Sequence, residues 1–235
     1  MTESALAVSS WQNYGTLGGT FDQGTAGAKP AFAATGGSNS QASLTFDGGD
    51  FLTSSLSAAS WNFLHSSNFT LFYVWNQTAT GNAFYGVLGT STSMAGSRGI
   101  AIYWDNRAAI PATASLRSAV SNGSAYVVDP GVSLLNNGYP ANSASITEHT
   151  YEYLVAGDDY ASIRNGTTVK TAESAAVPSA SNAANTLNIG IIPGAASNGL
   201  VGSIAEVIAF NRTLAAAERS VVRRYLGTRY ALTVV

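Results

Sequence analysis

The sequence predicts an all-β fold, a two-sheet antiparallel jelly-roll sandwich with one short C-terminal helix. Short apolar and aromatic runs recur along the chain, split by Gly, Asn, Ser and Pro, the punctuation of strands and turns. An Asn-Gly pair lies between two such runs, which marks a hairpin. Only one stretch, close to the end, spaces its apolar residues three and four apart as a helix does. A chain of 235 residues suits this class as one domain spanning 1–235, because sandwiches of about 200–250 residues fold as single units.

Taken in order, the clearest strands are read at 44–46, 69–75, 99–104, 151–155, 187–192 and 204–210. The run Phe69-Thr70-Leu71-Phe72-Tyr73-Val74-Trp75 is bulky at nearly every position and predicts a strand covered on both faces. From 99 to 104 the chain alternates, with Ile100 and Ile102 on one face and Ala101 and Tyr103 on the other. The stretch 108–142, broken by Pro111, Pro130 and Pro140, reads as loops with a hairpin. Asn165-Gly166 follows Tyr160-Ala161-Ser162-Ile163-Arg164 and precedes Thr167-Thr168-Val169; both turn residues tolerate the positive φ of a type I′ turn. The Ala/Ser/Gly-rich stretches 24–39 and 178–185 read as surface loops.

The helix is read over 214–230. Leu214, Ala217, Val221, Val222, Tyr225 and Leu226 form its apolar positions. Glu218 lies near its start and Arg223, Arg224 and Arg229 near its end, each sign suiting the helix dipole there. Gly227 is the expected stop. Five of the 11 basic residues fall between Arg212 and Arg229 and read as a solvated helix face.

Composition excludes several functions. Charged residues make up 10% of the chain, the formal net charge is -2, and Lys29 and Lys170 are the only lysines. Such a chain has no phosphate-tracking surface, so nucleic acid is not an expected partner. With no cysteine, disulfides, Cys-ligated zinc and thiol nucleophiles are excluded. No apolar run approaches the ~20 residues of a membrane span. Met1-Thr2-Glu3-Ser4 puts an acid where a secretory leader carries its basic region, so no export leader is expected.

The motifs point away from catalysis. Glu148 and Glu152, four residues apart on a strand, would stand ~13 Å from each other. Glycosidases hold their two carboxyls at about 5–9.5 Å. Glu206 lies in an apolar strand without a second acid and reads as an outward or hydrogen-bonded residue. His65 and His149 are the only imidazoles and lack His-x-x-x-His spacing. There is no Gly-x-Ser-x-Gly elbow, dinucleotide fingerprint or phosphate loop. No enzyme activity and no cofactor are therefore expected. Asp47-Gly48-Gly49-Asp50 reads as a turn whose carboxylates accept from nearby backbone N–H groups. The alternative is a calcium site, with Asp47 and Asp50 as its ligands. Asp158-Asp159 reads as another solvated turn. Five Asn-x-Ser/Thr sequons, at Asn68, Asn76, Asn122, Asn165 and Asn211, follow from a composition rich in those residues.

Several segments in order resemble a known pattern. They are Trp11, Asn13, Pro30 and Leu44-Thr45-Phe46-Asp47-Gly48-Gly49-Asp50-Phe51-Leu52; then Phe69-Thr70-Leu71-Phe72-Tyr73-Val74; then Ile163-Arg164-Asn165-Gly166-Thr167-Thr168-Val169. Leu187-Asn188-Ile189-Gly190, the run Gly202-Ser203-Ile204-Ala205-Glu206-Val207-Ile208-Ala209-Phe210-Asn211, and Leu214, Glu218, Arg219, Tyr225 and Leu226 complete it. The set resembles the concanavalin A-like lectin/glucanase superfamily in its laminin-G-like branch, from Trp11 to Tyr230. The resemblance implies a jelly roll of roughly a dozen strands. Ala215 departs from it, since such domains often carry Ser or Thr there as the partner of Glu218 in a capping box; Thr213 is the alternative cap.

Two non-catalytic functions follow. The resemblance implies, first, a structural surface protein of a phage-like virion, a capsid decoration or tail component. It would assemble in the host cytoplasm as symmetric copies beside other virion or capsid proteins. The alternative is a glycan-binding module recognising a cell-surface sugar. Its candidate residues are Trp104-Asp105-Asn106-Arg107, which combine an aromatic, an acceptor, an amide and a cation where a strand enters a loop, with Tyr126 and Tyr139. Against that, Trp104 could close the core while the polar trio forms a turn.

Overall fold

The computed structural model describes residues 6–78, 83–92, 96–105, 115–128, 142–153, 159–194 and 198–235. Its strands are β1 (Leu6–Ala7), β2 (Ser10–Gln12), β3 (Thr20–Asp22), β4 (Ala31–Ala33), β5 (Ser43–Asp47), β6 (Leu52–Ser54), β7 (Phe69–Gln77) and β8 (Phe84–Gly89). They continue with β9 (Gly99–Asp105), β10 (Ser115–Ser121), β11 (Tyr126–Val128), β12 (Ser145–Tyr151), β13 (Tyr160–Arg164), β14 (Thr167–Ala172), β15 (Asn188–Ile189) and β16 (Val201–Phe210). A four-residue helix, α1 (Phe63–Ser66), precedes β7, and α2 (Ala216–Tyr230) follows β16. The strands form two eight-stranded antiparallel sheets, ordered β1-β4-β5-β16-β7-β12-β13-β14 and β11-β10-β9-β8-β15-β6-β3-β2. This is the two-sheet sandwich the sequence predicts.

β7 lies near the middle of the first sheet and is covered on both faces, as its bulk predicts. Phe69, Leu71, Tyr73 and Trp75 enter the core between the sheets. Phe72 and Val74 point the other way and meet Leu214, Leu226 and Tyr230 beneath α2. The Asn165-Gly166 hairpin forms between β13 and β14, with φ of 49° and 90° at its two turn residues. Gly166 also lets the end of the chain pass close by, because a Cβ there would collide with the Val235 carbonyl oxygen. The stretch 108–142 supplies the hairpin of β10 and β11, and both strands belong to the second sheet. Of 187–192, only Asn188–Ile189 is strand.

The strand expected at 151–155 is displaced. β12 ends at Tyr151, and its seven residues, Ser145-Ile146-Thr147-Glu148-His149-Thr150-Tyr151, are all buried. Its polarity hid it from an apolar pattern. Each polar group instead finds an internal partner: the Trp75 indole N–H donates to Thr147 Oγ1 at 2.8 Å, and Glu148 meets two arginines. Those arginines correct the reading of the basic cluster as a solvated face. Arg223 Nε lies 2.6 Å from Glu148 Oε2 and Arg219 Nη1 3.2 Å from Oε1, while the Glu148 side chain is 1% exposed. Arg212 does stay at the surface, held by Glu218 at 2.7 Å.

α2 starts and stops for reasons other than those expected. Ala215 occupies the N-cap, its own N–H donates to Glu218 Oε2 at 2.8 Å, and an alanine side chain has no oxygen to complete the reciprocal half of the box. Thr213 does not cap; its hydroxyl donates to the Tyr151 carbonyl at 2.9 Å. The Arg212 guanidinium and the Ala215 N–H hold Glu218 down to about 2. The helix continues through Gly227 to Tyr230, and Ala231, at φ 50°, ends it. Gly227 serves the returning tail: a Cβ there would lie 2.9 Å from the Leu232 carbonyl oxygen.

Breaking the buried ion pair tests this arrangement. Glu148→Ala leaves two partly buried arginines facing each other and is expected to cost about 3–5 kcal/mol. Glu218→Ala, on the exposed pair, is expected to cost about 1 kcal/mol or less. Guanidinium unfolding followed by circular dichroism separates the two; equal losses would refute the clamping role of Glu148.

Candidate functional site

α2 covers the outer face of the first sheet. Strand alternation and register define what the second sheet presents on its own outer face. Ile100, Ile102 and Trp104 of β9 and Leu116 and Val120 of β10 enter the core. Tyr103, and opposite it Arg117, therefore lie on the side away from the core, beside the buried Ala101 and Ala119. Phe84 of β8 joins this face, its ring centroid 5.5 Å from that of Tyr103 at 54°. Tyr126, at the start of β11, pairs with Ser121, four residues along β10 from Arg117. Phe84, Tyr103, Arg117 and Tyr126 are all partly exposed.

Burial pushes the Tyr103 phenol up to about 12, the Arg117 charge opposes that rise, and Tyr126 adds to it. Tyr103 therefore remains a neutral hydroxyl over the physiological range. The face offers aromatic rings for stacking, phenol groups that donate and accept, and a guanidinium that only donates. These are the elements of a site for a hydroxylated ligand, without a nucleophile or an acid–base pair among them.

The residues read from sequence are distributed differently. Trp104 is 1% exposed and packs at a tilt against Tyr85, with ring centroids 5.7 Å apart. A ring closed off in this way offers no face to a ligand, so the glycan-contact reading of Trp104 is corrected to a core residue. Asp105 is also fully buried. Asn106, Arg107 and Tyr139 lie outside the described residues. Tyr126 lies on the neighbouring β11 and acts electrostatically on the Tyr103 phenol. Phe84, Tyr103 and Arg117 were missed, although the alternation of 99–104 already put Trp104 on the Ile100 and Ile102 face and left Tyr103 opposite.

The acids occupy structural positions. Asp47 Oδ1 accepts from the Gly49 N–H at 2.9 Å, and Asp50 Oδ2 accepts from the Asp47 N–H at 3.2 Å, the geometry of a closed turn. Burial, then the charge of Asp47, pushes Asp50 up to about 6. Among the described residues no group of three or more His, Asp or Glu side chains is placed to hold a metal ion. Glu148 lies under α2 in its ion pair, and Glu206 accepts from the Tyr225 and Tyr230 hydroxyls at 3.0 Å each. Among the described residues no helix is long and apolar enough to cross a membrane.

No protein-family model matches the chain, and comparison with curated proteins gives no match. Solved structures share its fold. Domain 4 of AbnA, an extracellular GH43 arabinanase from Geobacillus stearothermophilus, in complex with arabinotriose, has a TM-score of 0.56 at 12% identity, covering 86% of this chain and 82% of that one. The botulinum neurotoxin serotype D binding domain has 0.52 at 15% identity, covering 94% of this chain and 51% of that one. A Trypanosoma rangeli sialidase bound to 2,3-difluorosialic acid has 0.51 at 12%, covering 86% of this chain but only 30% of the sialidase. The chain thus matches less than a third of the sialidase and about half of the toxin domain. The likeness is one of fold: a two-sheet antiparallel β-sandwich.

The opposed parity of two neighbours is testable. Trp104→Ala empties a core site and is expected to cost about 3–5 kcal/mol. Tyr103→Ala, on the outer face, is expected to cost about 1 kcal/mol. Thermal unfolding of both variants checks this, and the reverse order would refute the assignment of faces.

Proposed function

We propose that the chain is a non-catalytic, lectin-type module that binds a glycan on the outer face of its second sheet. The observation that carries this is the cluster of Phe84, Tyr103, Arg117 and Tyr126, three aromatic side chains and a guanidinium on the sheet that α2 leaves uncovered. A pyranose or furanose ring presents C–H groups to an aromatic face, while its hydroxyls take hydrogen bonds from phenol and guanidinium groups. The fold likeness supports the reading, since the arabinanase domain is seen with an arabinotriose and the toxin domain is a binding domain. The reading calls for no cofactor.

Low charge favours a second reading, the virion surface protein suggested by the sequence resemblance. With 10% charged residues and 24 glycines, the surface suits packing among copies on a shell. The two readings part at the same residues: a structural unit would cover Tyr103 in a subunit contact.

A glycan array followed by calorimetry tests the proposal. Wild-type monomer is expected to bind at least one sugar with a Kd at or below about 1 mM, roughly -4.1 kcal/mol. Tyr103→Ala is expected to weaken that binding at least about tenfold, while Tyr103→Phe, which keeps the ring, retains most of it. Absence of binding across the array, with sedimentation showing obligate assembly, would overturn the reading in favour of the structural one.

A further inference from the structure

A chain of uncharged polar groups crosses the core from one sheet to the other. His149, on β12, is fully buried between two phenols: Nε2 lies 2.9 Å from Tyr73 Oη and Nδ1 2.7 Å from Tyr160 Oη. Both phenol rings stack on the imidazole, at centroid distances of 5.6 and 5.9 Å. The Tyr160 hydroxyl in turn hydrogen-bonds Ser118 Oγ, and Ser118 belongs to β10 in the opposite sheet. Tyr73, His149 and Tyr160 thus tie three strands of the first sheet to one strand of the second.

The chain works only with a neutral imidazole. One ring nitrogen then donates and the other accepts, so one phenol accepts from the ring and the other donates to it. A second proton makes both nitrogens donors, strips the donating phenol of its acceptor and places a full charge in the core. Among the described residues no acid acts on the ring to stabilise that charge. The groups facing His149 are Tyr73 from β7, Tyr151 from β12, Tyr160 and Ser162 from β13 and Ser118 from β10, and Arg164 at the end of the β13 row is itself a cation. Glu148 points to the α2 side and holds Arg219 and Arg223, while Asp159 acts on Tyr151. Burial alone pushes the imidazole down to about 3.

We propose that His149 is an acid-released pin between the sheets: protonation separates the β10–β11 edge of the second sheet from β12 and β13. That edge can lift while β8, β15 and β6 stay paired, whereas the first sheet is clamped by α2. The folded imidazole sits below its ordinary 6.5, so its contribution to stability is fully present above about 6.5 and lost as the pH falls toward about 3. Arg117 adjoins Ser118 on β10, so release also disrupts the aromatic face; that consequence rests on the proposed glycan-binding reading.

Hydrogen exchange of the full chain, corrected for the intrinsic effect of pH, tests the pin at about pH 7.5 and about pH 4.5, on either side of an ordinary imidazole. In the wild type, amides of β10 and β11 are expected to lose protection at least about tenfold more than those of β16 on acidification. His149→Gln, which can donate and accept but does not take up a proton, is expected to show no such difference. Equal loss in both sheets of the wild type, or the same selective loss in His149→Gln, overturns the proposal. Should His149→Gln fail to fold, the imidazole carbon shifts of the wild type decide: a common midpoint for ring protonation and β10 release upholds it, and separate midpoints overturn it. A chain that binds no sugar at about pH 7.5 refutes the binding reading alone, since the exchange measurement uses no ligand.

Discussion

Glu148 carries a charge into the interior, and that single burial governs how the layers of this protein are stacked. A carboxylate taken out of water is costly unless it is paired and hydrogen-bonded. Here the pairing comes from the last helix, through Arg223 at 2.6 Å and Arg219 at 3.2 Å. The two guanidiniums can reach it only if α2 lies across β7 and β12 in one rotation. That rotation brings Leu226 and Tyr230 down on Phe72 and Val74. The ion pair thus selects one docking of the helix from those its apolar residues would allow, and the apolar contacts supply the bulk of the burial.

A sandwich has two outer faces, and the helix packs on one of them over Phe72, Val74 and Ile146. The candidate surface lies on the second sheet, where β8, β9 and β10 carry Phe84, Tyr103 and Arg117. The candidate site and the helix thus sit on opposite sheets of the sandwich.

The parts of this arrangement that sequence revealed are those in which one property dominates a run. β7 was legible because nearly every side chain is bulky, and the Asn165-Gly166 turn because its positive φ values narrow the choice of residues. β12 was not, because it hides a carboxylate, an imidazole and four hydroxyl-bearing residues among partners that come from distant strands and from α2. Pattern reasoning assigns polar residues to the surface, and only tertiary contacts reveal them as internal. The site failed on a finer point. Composition drew attention to Trp104, but a step of one residue along a strand exchanges inside for outside, and the indole went to the core while the neighbouring phenol stayed at the surface. Gly227 misled in the same way: a residue suited to ending a helix was needed instead for the close passage of the Leu232 backbone.

The scarcity of charge takes on a different meaning once the placements are known. Glu148, Arg219 and Arg223 fasten the helix, Glu206 receives two tyrosine hydroxyls, and Asp47 and Asp50 close a turn. With so many of its few ionic groups engaged in the fold, the chain has little charge left for steering a partner from a distance. Recognition by such a surface must depend on contact: ring faces, hydroxyls and amides that act over a few ångströms and lose little strength in salt. Polyhydroxylated ligands suit those terms, since they carry C–H faces and hydrogen-bonding edges on the same small ring. Scarce charge suits both proposed readings, and the aromatic patch on the second sheet is what favours the proposed glycan.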